Sequence, residues 1–191
     1  QAESFRELTV QATRDIVHDA QMSRASARWY RHDQRIADTR RDGLAMTTQG
    51  FSPWFETLVR FLPQASEKAA HIAWLRTTRF TQLATATQLG MIVVAQDDFL
   101  DDATSLQVGR AWQRLHLAAT ALGLACQPMN QIPERIGRER QRGTGSKITR
   151  AVERKFALDG ALPAFCFRMG YPTREAPHSA RRKVETVMEQ L

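Results

Sequence analysis

The sequence predicts an α+β fold in which a few buried strands are wrapped by amphipathic helices. Two apolar runs, residues 91–95 and 164–170, are rich in β-branched or aromatic residues and are typical of strands inside a core. Long stretches before and between them have apolar residues at spacings of three and four, as helices do. The chain has 191 residues, of which 42% are hydrophobic, and this is enough to bury the core of a single domain.

Helices are predicted along most of the first half of the chain. Residues 3–22 and 24–37 form two helical stretches, the first with an apolar stripe opposite its charged positions. Residues 42–43, Asp-Gly, indicate a turn. A short helix over 53–62 begins at a proline, which suits the first helical position, and a second proline closes it. The stretch 67–88 begins with helical spacing.

The clearest helix of the chain covers residues 102–122. Either Asp101 or Asp102 can cap its start, and Gly123 is well suited to end it. Apolar residues line one side of this helix throughout, so we expect it to lie in the core. The tail, 179–191, is predicted to form a short helix.

The predicted sheet is incomplete. Two strands leave their outer edges unpaired and are marginal in water, although the apolar run 91–95 is typical of a central strand covered on both faces. We expect further strands from a weakly marked segment such as 80–86, from a partner subunit, or from sequence upstream of Gln1, which is not the initiating methionine. The chain is therefore interpreted as one partial domain, 1–191.

The charge balance indicates an anionic partner. Lys and Arg total 27 against 20 acidic residues, a net charge of +7, which suits nucleic acid, a phosphate-bearing cofactor or an acidic surface. Most of the basic residues are arginines, which grip phosphate or carboxylate with two parallel hydrogen bonds. No apolar run approaches the length that spans a bilayer, so we expect no membrane partner.

Several motifs favour plain structural interpretations. Cys126 and Cys166 lack CxxC spacing and are interpreted as buried free thiols, and none of the five histidines pairs with another as a metal site requires. The segment 143–147 departs from a phosphate-binding loop because a serine separates the glycine from the lysine. The basic stretch 135–155 could contact nucleic acid, but no known nucleic-acid-binding pattern accompanies it, so this function is a lesser alternative.

Five segments, taken in order and spacing, point to a family. They are residues 42–44, 109–115, 122–131, 167–172 and 179–184. Together they resemble the nitroreductase-like flavoproteins, in particular the Acg-like branch of long, two-half FMN-binding oxidoreductases. The resemblance covers nearly the whole chain but corresponds to the C-terminal half of such a protein.

The resemblance implies a nitroreductase-like α+β fold whose sheet is completed by a missing half or by a partner subunit, as in a dimer. It also implies FMN as the cofactor and hydride transfer from NAD(P)H, through the flavin, to a nitroaromatic or quinone-like acceptor. No catalytic side chain is needed, because the flavin supplies the chemistry and the protein binds and orients it. The alternative from another class is a non-catalytic protein that binds or sequesters flavin.

The resemblance assigns the flavin phosphate to the C-terminal basic motif. Arg181 is the first candidate, with Arg182 or Lys183 in support, and an arginine pair suits the phosphate oxygens. The alternative interpretation of this basic motif is structural, as a charged tail that caps the last helix.

The same resemblance assigns the isoalloxazine ring to the segment after the long helix. In this chain the corresponding residues are Pro128, Met129, Asn130 and Gln131, whose backbone N–H groups would bond the N5 and O4 region of the flavin. The family's N-terminal phosphate motif is absent. Residues 24–28 mimic its spacing only, so half of the expected pocket lies outside this chain.

Overall fold

A computed structural model of the protein describes residues 1–31, 33–45, 66–143, 146–175 and 180–188. The chain is an α+β protein, 58% helical with a small three-stranded antiparallel sheet. It forms two compact units, one from residues 1–18 and 71–173 and the other from within 19–70 and 174–191. The helix predicted over 53–62 lies outside the described residues.

The secondary-structure elements follow one another in this order: α1 (Ala2–His18), α2 (Ala20–Ala27), β1 (Tyr30–Arg31), α3 (Gln34–Arg40), β2 (Leu44–Ala45), α4 (Glu67–Thr77), a π-helix (Thr78–Gln82), β3 (Gln88–Ala95), α5 (Asp102–Ala121), β4 (Ala125–Pro128), α6 (Gln131–Arg142), α7 (Lys147–Phe156), β5 (Ala161–Gly170) and a 3-10 helix (Val184–Thr186). Among the described residues, no helix combines the length and the apolar character that a membrane crossing requires.

The sheet of the first unit has the order β3-β5-β4, with both outer strands antiparallel to β5. Both predicted strands are confirmed, and β4 is a third strand that the sequence did not indicate. The prediction that 91–95 forms a central strand is wrong within the described residues, because β3 lies at an edge and is only half-buried. The segment 80–86, expected as a possible strand, contains the end of the π-helix and a turn instead.

One face of the sheet carries the main core of this unit. Helices α6 and α7 pack there against β5, and α1 packs against both of these helices. Their contact residues are almost completely buried: Phe5, Leu8, Ala12, Ile132, Ile136, Ile148, Val152, Leu162 and Cys166. Apolar burial on this scale is the dominant stabilising contribution to such a unit.

Helix α5 contacts the sheet with only one side. Trp112 lies against Phe165 and Phe167 of β5, with ring centroids 4.6 and 5.2 Å apart. The predicted helix ends are confirmed, since Asp101 accepts a hydrogen bond from the Thr104 N–H and Gly123 adopts a positive φ of 73°. However, Leu106 and Leu117 are 72% and 64% exposed, so the prediction that α5 lies in the core is wrong.

The helices predicted near the N-terminus are shorter than expected. Asp19 accepts hydrogen bonds from the N–H groups of Gln21 and Met22, so it ends α1 and starts α2 within the predicted helix 3–22. The predicted helix 24–37 is interrupted by β1. In the described part of the tail, the expected helix is reduced to the single 3-10 turn.

The second unit contains a buried arginine. Arg31 is 8% exposed and forms an ion pair of 2.8 Å with Asp42. The predicted turn is confirmed at Gly43, whose φ is 75°, and an added Cβ there would collide with the Trp29 carbonyl oxygen. Arg31 therefore joins β1 to this turn through its ion pair.

Gly90 of β3 leaves the space that the Phe167 ring occupies. An added Cβ would collide with that ring, so Gly90→Ala is expected to lower the free energy of unfolding by about 1–3 kcal/mol through overpacking. Urea denaturation followed by circular dichroism measures this change. The control is Gly109→Ala on α5, where an added Cβ meets nothing within 4 Å and a gain of up to about 1 kcal/mol is expected. Equal stability of Gly90→Ala and wild type would contradict the packing.

Candidate functional site

The turn between β4 and α6 brings four of the predicted site residues together. Pro128 ends β4 and is exposed, whereas Met129 is 1% exposed. Asn130 precedes α6 and is half-buried. Gln131 opens the helix and is 7% exposed.

This turn is tied to the central strand by two hydrogen bonds. The Met129 N–H donates to the Cys166 carbonyl oxygen at 2.7 Å. The Cys166 N–H donates to the side-chain oxygen Oδ1 of Asn130 at 3.0 Å. The backbone of Cys166 is thus satisfied by the turn, and the Asn130 amide continues the ladder of β4 where its backbone leaves the sheet.

The hydrogen bonds narrow the set of N–H groups that could face a ligand. Pro128 has no N–H, and the N–H of Met129 is used internally. The first helical bond of α6 runs from the Glu134 N–H to the Asn130 carbonyl, so helix geometry leaves the N–H groups of Asn130, Gln131 and Ile132 without a partner inside the helix.

The start of α6 also lacks a side-chain cap within the described chain, because the Asn130 oxygen binds Cys166 instead. The side-chain oxygen Oε1 of Gln131 is buried there and has no hydrogen-bond partner among the described residues. The Asn130 side chain therefore does not cap the positive end of the helix dipole, and the acidic residue of the first turn is Glu134.

The two arginines predicted to bind phosphate belong to the other compact unit. Arg181 and Arg182 are exposed and directly precede the 3-10 helix, as does Lys183. The structure thus brings together the four turn residues, while the basic motif is an exposed segment of the other unit. Residues 24–28, which mimic a phosphate motif in spacing, lie on α2 and at its C-terminal end.

The start of α7, after the Gly143 loop, is held by a buried carboxylate. Glu139 accepts hydrogen bonds from the Ile148 N–H at 2.9 Å, from the Thr149 N–H at 3.1 Å and from the Thr149 hydroxyl at 2.9 Å. In a phosphate-binding loop the ligand would take such donors. Because Glu139 already holds them, this helix start is not a phosphate cradle.

Loss of the charge on Glu139 is expected to destabilise the first unit. Glu139→Gln removes a charge-assisted acceptor from the buried start of α7 and is expected to cost about 1–3 kcal/mol. The free energy of unfolding from chemical denaturation measures the loss. The control is Glu153→Gln on α7, which is expected to change the free energy of unfolding by less than about 0.5 kcal/mol. A similar small change for both variants would show that the cap contributes little.

The two cysteines are free thiols, as the sequence predicts, but the prediction that both are buried is wrong for Cys126. Cys166 is completely buried, and this burial raises the pKa of its thiol to about 12. Cys126 is only half-buried, and burial raises the pKa of its thiol as well. Neither thiol is therefore activated as a nucleophile.

His116 stacks on Trp112 of the same helix, with ring centroids 5.4 Å apart. This contact gives the His116 side chain a structural role on α5.

Arg168 is the single charged residue of the apolar run 164–170, and it was not predicted as a site residue. Its Nε donates to the Gln127 side-chain oxygen at 2.7 Å. Its Nη1 donates to the Gln82 carbonyl oxygen at 2.7 Å and to the Thr85 hydroxyl at 2.9 Å. The residue is half-buried, and this burial lowers the pKa of the guanidinium.

An open groove of about 760 Å³ lies where β5 begins, away from the β4–α6 turn. Arg150 and Arg154 line it from α7, together with the carboxylates of Asp97, Glu153 and Asp159. Most of these side chains are exposed, and the groove includes none of the predicted site residues. It is therefore a surface feature separate from the candidate site.

No family model, curated protein or solved structure matches the chain.

Proposed function

We propose that this chain is part of an FMN-dependent oxidoreductase of the nitroreductase type. Its substrates would be NAD(P)H and a nitroaromatic or quinone-like acceptor. The observation that carries the proposal is the β4–α6 turn, because the family resemblance assigns the flavin ring to this segment. Its two hydrogen bonds to Cys166 give it the rigid backbone that cofactor positioning requires.

The chemistry of the turn suits the pyrimidine edge of a flavin. FMN would supply the hydride chemistry, and the protein would bind and orient it. The N–H groups of Asn130, Gln131 and Ile132 are the donors left at the helix start, and Asn130 is the most accessible of these residues. The adjacent N-terminus of α6 favours negative charge, which suits the electron-rich end of a reduced ring.

Arg181 and Arg182 would bind the phosphate of the cofactor. Their side chains are exposed, and a guanidinium pair binds phosphate oxygens through parallel, charge-assisted hydrogen bonds. This assignment rests on the family resemblance and on the net charge of +7.

The open sheet supports the proposal that the chain needs a further part. Among the described residues, β3 and β4 each pair on one side only, which leaves two unpaired edges. Such edges are typically covered or extended in stable proteins. We propose that the missing half of a two-half protein, or a second copy of the chain, completes both the sheet and the flavin pocket.

Removal of positive charge at Arg181 is expected to abolish the contribution of the phosphate to binding. The wild-type chain should quench FMN fluorescence saturably and bind riboflavin at least about tenfold more weakly, because riboflavin lacks the phosphate. Arg181→Glu should lower the FMN affinity to the riboflavin level. Arg114→Glu, at an exposed position of α5, is the charge-matched control and should leave FMN binding unchanged.

Two outcomes would contradict this proposal. One is the absence of saturable FMN binding to the wild-type chain. The other is equal binding of FMN and riboflavin, which would remove the phosphate assignment at Arg181 even if a flavin binds.

A non-catalytic flavin-binding protein is the second candidate function. Addition of NADH or NADPH to the FMN-loaded chain distinguishes the two. We expect loss of the yellow absorbance for an oxidoreductase, whereas bound flavin that stays oxidised would favour sequestration.

A further inference from the structure

Arg168 is a cation without an acidic partner. Within the described part of the chain, no carboxylate lies within ion-pair distance of its guanidinium, although the side chain is half-buried on the central strand. Its three hydrogen bonds go to neutral oxygens of Gln82, Thr85 and Gln127. A partly desolvated charge of this kind is costly unless something of opposite charge compensates it.

The hydrogen bonds leave one end of this guanidinium unused. An arginine has five N–H donors. In Arg168, Nε and Nη1 are bonded, whereas Nη2 has no hydrogen bond to any described residue. The bonded nitrogens fix the plane of the group, so Nη2 is held in one orientation. The Gln127 side-chain amide nitrogen, a further donor, lies beside the oxygen that Arg168 binds.

A second arginine is anchored on the neighbouring carbonyl group. Arg6 of α1 donates through Nε to the Leu83 carbonyl oxygen at 3.3 Å, while Arg168 binds the carbonyl of the preceding residue, Gln82. The only described carboxylate near Arg6 is that of Glu3, at 3.6 Å, and its side chain is 77% exposed. These carbonyls lie where the π-helix ends, and π-helical turns occur often at functional sites.

We propose that Arg168, supported by Arg6, forms a binding site for a phosphate group in the first unit. The two guanidinium groups are anchored on consecutive carbonyl groups of one turn, and two positive charges at the same turn favour a dianion over a monoanion. The residues proposed for the flavin phosphate, Arg181 and Arg182, belong to the other unit. The Arg168 site does not depend on the chain binding flavin.

Titration of the complete chain with inorganic phosphate tests the site. Arginine Nε–H signals are followed by NMR, with chloride balancing the ionic strength. We expect a saturable shift of the Arg168 signal by phosphate and binding of acetate at least about fivefold weaker. Arg168→Lys, followed at the Arg6 Nε–H signal, should weaken phosphate binding about tenfold, because a lysine loses the fixed planar donor pair. The controls Arg110→Lys and Arg181→Glu should leave the affinity unchanged.

The wild-type titration alone can overturn the proposal. A shift of the Arg168 signal that chloride reproduces, or no saturable shift, would show a purely structural arginine. Acetate binding as tight as phosphate would contradict the paired-cation assignment, and loss of binding in Arg181→Glu would place the phosphate elsewhere. If Arg168→Lys does not fold, Arg6→Gln takes its place, with an expected weakening of about threefold. Unchanged binding in Arg6→Gln would exclude the supporting role.

Discussion

The backbone of Cys166 is the point on which the first unit depends. This residue lies in the central strand β5, and the turn after β4 takes up both its N–H and its carbonyl group. On the other side, β5 pairs with β3 in the register that places Met91 opposite Cys166. Since the Cys166 side chain is also completely buried among the helices, this one position links the sheet, the turn and the core.

The two helices that follow β4, α6 and α7, differ in how their N-terminal N–H groups are satisfied. The start of α7 is closed by the buried Glu139 carboxylate, which satisfies its first N–H groups. At α6, by contrast, Asn130 gives its side-chain oxygen to β5 rather than to its own helix. The Glu139 carboxylate therefore caps the start of α7, whereas α6 has Glu134 in its first turn but no side-chain cap from Asn130.

The strongest local patterns predicted the fold well. The runs 91–95 and 164–170 proved to be strands, and the helix predicted over 102–122 has the predicted cap at Asp101 and the predicted end at Gly123. These features follow from local chemistry, since apolar runs, capping side chains and positive φ angles are visible in a short window.

Features that depend on distant residues could not be predicted. The third strand, β4, is four residues long and ends in a proline, so it has no alternation to detect. The outer side of α5 is exposed because the narrow sheet covers only one side of the helix. The width of the sheet depends on the number of strands, which the sequence of α5 does not contain. For the site, the resemblance indicated the segment 128–131, but the role of the Asn130 side chain appears only once β5 is placed beside it.

Amide hydrogen exchange at the β4–α6 turn tests the account most directly. If the turn is fixed to β5, the N–H groups of Met129 and Cys166 should exchange only when the first unit unfolds, with the same free energy as the amides that join β3 to β5. Exchange of these two groups at the rate of an unstructured peptide, while the rest of β5 stays protected, would show that the turn is detached from the sheet. The candidate site would then have no rigid support.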